Sequence, residues 1–268
     1  MITQTLEKLF GLTGKKILLT GAAGGIGRAL AEGLAGSGGD MLLCDIAEAS
    51  LAELAEMINK NGGSAAGYYM DVSDIESIRS AVAEIIKNAG RIDVLVNCAG
   101  INKREGFLDV TEQTYDQIMG INLKGLYFLS QEVAKHMMEQ GSGNIINVAS
   151  HNSVGMLGGC SVYGATKSAV TALTRSMAVE WAQYGIRANA IAPGHILTPL
   201  TTATWEHPER SEYLRERISM RRPGTPEELV GVVVMLASDA SSYMSGTMVH
   251  VDGGCLAGGS PWPYDTKY

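Results

Sequence analysis

The chain has 268 residues and carries 21 Lys and Arg against 28 Asp and Glu, a formal charge of −7 with a pI near 5.3. That balance argues against nucleic acid or an anionic membrane as partner, since both reward a basic face. With 46% apolar and 18% charged residues the chain is rich enough in core to fold, and one α/β domain over residues 1–268 is expected.

Residues 1–8 show no basic start followed by an apolar stretch, and the longest wholly apolar run, 232–237, is far too short to cross a bilayer; a soluble, cytoplasmic protein is expected. Cys44, Cys98, Cys160 and Cys255 lie far apart with no C-x-x-C pair, and His136, His151, His195, His207 and His250 share no ligand spacing. Four reduced thiols and no catalytic metal are expected.

Short apolar or β-branched runs alternate with helical periods along the chain, the pattern of βαβ units that build a parallel sheet. Strands are expected at 16–20, 41–44, 65–70, 94–97, 144–149, 187–191 and 248–251, most of them too apolar for an exposed face. Helices are expected at 26–35, 51–61, 75–88, 114–139, 161–183 and 226–237, with start signals at Ser73 and at Thr225-Pro226. The result is a doubly wound, seven-stranded parallel sheet with helices on both faces, a Rossmann-type single domain. The long irregular stretch 193–208 opens a substrate-loop segment at about 193–225, and a tail occupies about 255–268.

The first strand runs into Thr20-Gly21-Ala22-Ala23-Gly24-Gly25-Ile26-Gly27 and then a helix, which aims backbone N–H groups at a pyrophosphate. Gly21, Gly25, Ile26 and Gly27 are the candidate contacts. Asp45 ends the second strand 18 residues beyond the last glycine, where a carboxylate binds both ribose hydroxyls of NAD and repels a 2′-phosphate. Neither Gly24 nor Ile46 supplies a cation for that phosphate, so NAD is expected over NADP. Tyr163 and Lys167 stand at (i, i+4) on one helix face, and Ser150 precedes Tyr163 by 13 residues. A phenol titrates at about pH 10. A neighbouring Lys ammonium and the positive nicotinamide ring favour phenolate, so Tyr163 is expected to move a proton while Ser150 holds the substrate oxygen.

These motifs together resemble the short-chain dehydrogenase/reductase superfamily over nearly the whole chain, through Thr20 to Gly27, Asp71-Val72, Asn97-Cys98-Ala99-Gly100, Asn122, Ser150, Tyr163 with Lys167, Pro193-Gly194 with Thr198, and Val251-Asp252-Gly253-Gly254. The resemblance implies that Asp71 and Val72 contact the adenine and that Asn97 and Gly100 support the cofactor side. It also implies that Asn122 anchors a water relay to Lys167, that Pro193 and Gly194 contact the cofactor, and that Ile196 and Thr198 meet the nicotinamide carboxamide. Cys98 departs from a second Asn common in that family. A homotetramer packed through 114–139 and 161–183 is implied as well.

Residues after strands four to six should line the substrate site. Asn102, Lys103 and Arg104, then His151 and Asn152, then His195, form a polar collar suited to a sugar acid, with Arg104, His151, Asn152 and His195 as candidate contacts. Gly100-Ile101-Asn102-Lys103-Arg104 and Met177-Ala178-Val179-Glu180-Trp181 resemble the gluconate 5-dehydrogenase and 2-deoxy-D-gluconate 3-dehydrogenase group. Alternatives are a neutral polyol or sugar dehydrogenase and a 3-oxoacyl-carrier-protein reductase, which Asp45 and the acidic charge count against. A non-catalytic dinucleotide sensor is disfavoured by the intact Ser150, Tyr163, Lys167 and Asn122. Trp205 and His207 are placed to close over substrate, and Trp262 and Tyr264 to reach a neighbouring subunit.

Overall fold

A computed structural model describes residues 2–259; the tail residues Trp262 and Tyr264 lie outside them. In chain order the main elements are α1 (Ile2–Phe10), β1 (Lys16–Thr20), α2 (Gly25–Gly36), β2 (Asp40–Asp45), α3 (Glu48–Lys60), β3 (Ser64–Tyr69), α4 (Ile75–Ala89), β4 (Val94–Asn97), α5 (Glu112–Met119), α6 (Leu126–Gln140), β5 (Gly143–Val148), α7 (Ser161–Trp181), β6 (Ile186–Pro193), α8 (Thr202–Glu206), α9 (Pro208–Arg217), α10 (Val230–Ala237) and β7 (Met248–Val251). The seven strands form one parallel sheet in the order β3-β2-β1-β4-β5-β6-β7. Strand order reverses at β1 and β4, and a crevice opens beyond their carboxyl ends.

Alternation along each strand divides the core in two. Ile17, Leu19, Met41, Leu43, Val94 and Val96 pack with Leu30 and Leu34 of α2, Leu54 of α3 and Val233 and Leu236 of α10. Leu18, Leu42, Leu95 and Ile145 pack on the other face with Ile78 and Ile85 of α4, Leu129 and Val133 of α6 and Val170 of α7. Both faces of the central strands are therefore covered, which is why they read as continuous apolar runs. The outer strand β3 departs from that expectation: Ser64, Ala66, Gly67 and Tyr69 are exposed, as an edge strand tolerates.

Four differences from the sequence reading have local causes. The amphipathic α1 was not expected; it lies on the surface, its side chains almost all exposed. The helix expected at 114–139 is interrupted by a π-helical segment, Gly120–Gly125, where wider turns change the direction of the side chains without breaking the apolar period. The stretch expected to be irregular, 193–208, already contains α8 and leads straight into α9, which begins at Pro208. At the start of α4 the capping side chain is that of Asp74, accepting from Glu76 N at 3.0 Å, while Ser73 turns to Asp71. Thr225 does cap its helix, reciprocally with Glu228, though the first turn, Pro226–Leu229, is 3-10. Among the described residues no helix is long and apolar enough to cross a membrane.

Gly33 sits inside α2 where a Cβ would overlap Val230 at the start of α10, meeting both of its γ-carbons and its Cβ. Ala would gain up to about 1 kcal/mol in helix propensity. Rotating Val230 cannot clear its own Cβ, and forced overlap of this kind costs about 1–3 kcal/mol, so Gly33→Ala should be net destabilising. Urea unfolding should show a lower midpoint for Gly33→Ala and recovery when Val230→Ala is added.

Candidate active site

A cleft of about 620 Å³ lies beyond the carboxyl ends of the central strands. Its floor is the turn from β1 into α2. Gly21 has φ +68°, and a Cβ there would lie 2.8 Å from Ala99 Cα, while a Cβ on Gly27 would overlap the Gly21 carbonyl oxygen. Only glycine permits this approach, and it leaves the N-terminus of the 12-residue α2 open to the cleft, without a side-chain cap. That arrangement is a cradle for phosphate oxygens. Thr20, which the sequence reading passed over except as part of the motif, fastens the neighbouring turn: its Oγ1 accepts from Cys98 N and Ala99 N, both at 3.2 Å. This backbone-to-hydroxyl pairing holds the turn through main-chain groups and leaves the Cys98 side chain out of it. Burial pushes the Cys98 thiol up to about 11, and all four cysteines are free.

Asp45 ends β2 and lines the cleft; Oδ2 accepts from Ala23 N and Oδ1 from Ala47 N, each at 3.1 Å. Asp71, Val72, Gly100, Pro193, Gly194, Ile196 and Thr198 also line it, with Gly21, Gly25, Ile26 and Gly27. Asn97 does not: it is buried, and its Nδ2 donates to Ser130 Oγ and Asn147 Oδ1, both at 2.9 Å. Its place is a polar tie between β4, β5 and α6 beneath the cofactor side, because Asn97, the last residue of β4, points into the covered face.

Ser150, Tyr163 and Lys167 converge on the cleft from the end of β5 and the first turns of α7. Ser150 Oγ accepts from Asn152 N at 3.1 Å. The Lys167 ammonium is 5.6 Å from the Tyr163 ring centre and donates to the Val148 carbonyl at 2.7 Å. Asn122, in the π segment, clasps the backbone of Ile101 from both sides, with Ile101 N donating to Oδ1 and Nδ2 donating to Ile101 O at 2.8 Å each. A Cβ on Gly100 would lie 3.3 Å from Asn122 Oδ1 and 3.5 Å from Lys167 Nζ, so the Asn122 and Lys167 polar groups flank one point. The shift expected toward phenolate needs the positive nicotinamide ring as well as Lys167, and the protein's own groups act the other way. Burial raises the phenol above its usual value, opposed by Ser150. Burial also pulls the Lys167 ammonium down to about 8.

The collar is partly as expected. Arg104, His151, Asn152 and His195 line the cleft, joined by Asn102, Leu157, Trp205 and Leu214. Lys103 turns away into an ion pair with Glu105 at 2.7 Å and a bond to Thr114. His151 Nδ1 faces the Pro193 carbonyl at 3.3 Å, and its ring packs against His195 with centroids 4.6 Å apart and planes tilted by 58°; Trp205 stands edge-on to His195. Burial, then the charges of His151, Arg104 and Arg217, pull His195 down to about 4. Thr201, unrecognised in the sequence, fixes the turn after β6 by donating to Ile196 O at 2.7 Å and accepting from Thr198 N at 2.9 Å. His207 lies outside the cleft lining.

The family model described as "Enoyl-(Acyl carrier protein) reductase" matches residues 21–255. The chain is 40% identical over 252 residues to the 5-keto-D-gluconate 5-reductase of Escherichia coli K12, covering 94% of this chain and 99% of that one. It is 40% identical over 254 residues to the 2-dehydro-3-deoxy-D-gluconate 5-dehydrogenase of Bacillus subtilis, covering 94% and 98%. Among solved structures, a gluconate 5-dehydrogenase from Burkholderia cenocepacia, in complex with NADP and tartrate, superposes with a TM-score of 0.91 at 37% identity over 93% of this chain and 98% of that one.

The buried lysine has a consequence for stability. Its pKa falls from 10.5 to about 8 on folding. The folded protein therefore gives up this proton before the unfolded chain does, and this group makes stability rise with pH between about 8 and 10.5. Urea unfolding at pH 7.5 and 9.5 should show wild type gaining about 1–2 kcal/mol relative to Lys167→Met as pH rises; an equal response in both proteins would contradict the burial assigned to the ammonium.

Proposed function

We propose, for a chain that belongs to the short-chain dehydrogenase/reductase family, that it interconverts a secondary alcohol and a ketone of a sugar acid with NAD as the preferred dinucleotide. The observation that carries this reading is the convergence of Ser150, Tyr163 and Lys167 on a cleft whose floor is the glycine cradle. Relatives named for gluconate and 5-keto-D-gluconate, and the tartrate held by the Burkholderia enzyme, support an anionic polyhydroxylated substrate.

The residues fit a dinucleotide. Gly21, Gly25, Ile26 and Gly27 would hold its pyrophosphate, Asp71 and Val72 its adenine, and Gly100 the inner wall, with Asn97 acting from beneath. Pro193, Gly194, Ile196 and Thr198 would hold the nicotinamide end, with Tyr163 and Lys167 beside it. Bound there, the nicotinamide supplies the hydride donor or acceptor. Asp45 carries the preference for NAD: a carboxylate already turned toward Ala23 N–H repels a 2′-phosphate. The NADP in the Burkholderia structure is a property of that protein.

Ser150 Oγ holds the substrate oxygen and Tyr163 exchanges the proton on it. As the protein alone holds it, the phenol is protonated and ready to donate to a ketone. In the alcohol-to-ketone direction it must first lose that proton, and Lys167, charged below about pH 8, provides positive charge beside the ring. Asn122 holds the loop after β4 and the route by which Lys167 is reprotonated. Arg104 faces the substrate carboxylate, with His151, Asn152 and His195 around the carbon chain. A homotetramer packed through α6 and α7, in the cytoplasm, completes the reading. A groove between those helices, lined by Tyr127, Met138, Leu173 and Trp181, supports the packing, and sedimentation at working concentration checks it.

The test is reduced-dinucleotide formation with aldonic acids and neutral polyols, using NAD and NADP. Wild type should favour acids and NAD. Arg104→Ala should lose at least tenfold in kcat/KM on acids, and Asp45→Ala should narrow the preference for NAD at least tenfold. Activity on neutral polyols indifferent to Arg104 would move the substrate to a neutral sugar, and a wild-type preference for NADP would refute the role of Asp45.

A further inference from the structure

We propose that the amides of Asn152 and Asn102 read substrate hydroxyls, so that the cleft selects a fully hydroxylated sugar acid over its deoxy counterparts. This rests on the sugar-acid reading and sharpens it, since the relatives named above differ in whether carbon 3 bears a hydroxyl. Asn152 follows Ser150 by two positions on the short turn His151–Ser153 and is only 4% exposed. Its backbone N–H is committed to Ser150 Oγ at 3.1 Å, but its buried Oδ1 meets no donor among the described residues. Asn102 approaches from the loop after β4. Its Nδ2 faces Cys160 Sγ at 3.6 Å, and its Oδ1 is also buried without a donor among the described residues. Both residues line the cleft that holds Ser150 and Tyr163.

A third acceptor follows from His151. The Pro193 carbonyl it faces can only accept, so Nδ1 carries the hydrogen and Nε2 of the neutral ring is left as an acceptor. Burial, acting against the Pro193 and Gly194 carbonyls and Asp252, holds that ring below its ordinary value, which keeps it neutral at neutral pH.

The collar thus offers buried oxygens and an imidazole nitrogen that need donors, with Arg104 for an anion. Buried polar groups in folded proteins find partners, and hydroxyls along a sugar chain are donors of the right kind. A deoxygenated carbon would leave an amide oxygen buried and unpaired. A site shaped around a hydroxyl rejects the analogue that lacks it far more strongly than an apolar pocket rejects an added methylene.

The experiment measures kcat/KM of the wild type at saturating dinucleotide for D-gluconate, 2-deoxy-D-gluconate and 3-deoxy-D-gluconate. It is repeated with Asn152→Ala and Asn102→Ala, and the thermal midpoint of each protein is recorded. At least one deoxy acid should be used at least fivefold less efficiently than D-gluconate, chiefly through KM. That deficit should fall below fivefold in at least one variant, because the substitution lowers the D-gluconate value more than the deoxy value. Wild-type use of both deoxy acids within fivefold of D-gluconate, or a deficit that survives both substitutions in folded protein, overturns the proposal. If the wild type oxidises D-sorbitol and none of the three acids, the sugar-acid reading is what fails. The ratio between D-sorbitol and its 2-deoxy form, in the same three proteins, then decides the role of the asparagines by the same thresholds.

Discussion

Everything in the cleft depends on one close approach of backbone to backbone. The turn between β1 and α2 passes so near Ala99 and so tightly over itself that Gly21 and Gly27 admit no side chain. That approach brings the end of β1 against the end of β4 and lets a single hydroxyl, Thr20 Oγ1, accept from two consecutive amides of the neighbouring turn. It leaves the amides at the start of α2 free of any side-chain cap. A phosphate-sized anion is the natural partner for such a terminus, and Asp45 stands at the next strand end, its carboxylate held by Ala23 N–H.

On the far side of the reversal in strand order, the controlling fact is a buried ammonium. Lys167 is 4% exposed and is tied to the last carbonyl of β5. Keeping charge there is unfavourable, as its fall to about 8 shows. The surrounding sequence serves that position: glycine at 100 leaves room, the π segment turns Asn122 back toward Ile101, and α7 sets Tyr163 one turn away. A burial cost concentrated at one strand end is what a proton-transfer site would require, whereas a fold selected for stability alone would bury a Met or Leu there. The imidazole pair extends the same logic outward. His151 and His195 come from adjacent strand ends and pack ring against ring at a tilt; burial holds both below the ordinary imidazole value, aided at His195 by Arg104, which leaves the arginine as the cation of the collar.

The sheet was legible because burial on both faces writes itself as uninterrupted Val, Ile and Leu, and the glycine turn because its spacing has few other uses. Tyr163, Lys167 and Ser150 were legible through helical and strand-end spacing. What escaped was whatever periodicity does not encode. The π segment preserves the apolar pattern while redirecting Asn122. Helices α8 and α9 hide behind threonines, a histidine and a proline, residues that read as loop until Pro208 is seen at N1. Lys103 and Arg104 look equivalent in sequence, yet the carboxylate at Glu105 claims the first and leaves the second in the cleft lining. Spacing put Asn97 on the cofactor side of the sheet but could not show that its side chain is spent on Ser130 and Asn147 beneath the cleft. The burial that raises the Tyr163 phenol is a property of the packed first turns of α7, which spacing alone does not carry.

The central claim is that the glycine cradle binds the dinucleotide independently of the group that moves the proton. The most direct test is Tyr163→Phe, which removes one hydroxyl from a side chain that already lies in an apolar-walled cleft. Titration calorimetry with NAD and a single-turnover absorbance measurement on the same sample should show dinucleotide affinity within threefold of wild type and hydride transfer slowed at least a thousandfold. Transfer at a rate within tenfold of wild type would contradict the account, because the proton would then be moving through some other group.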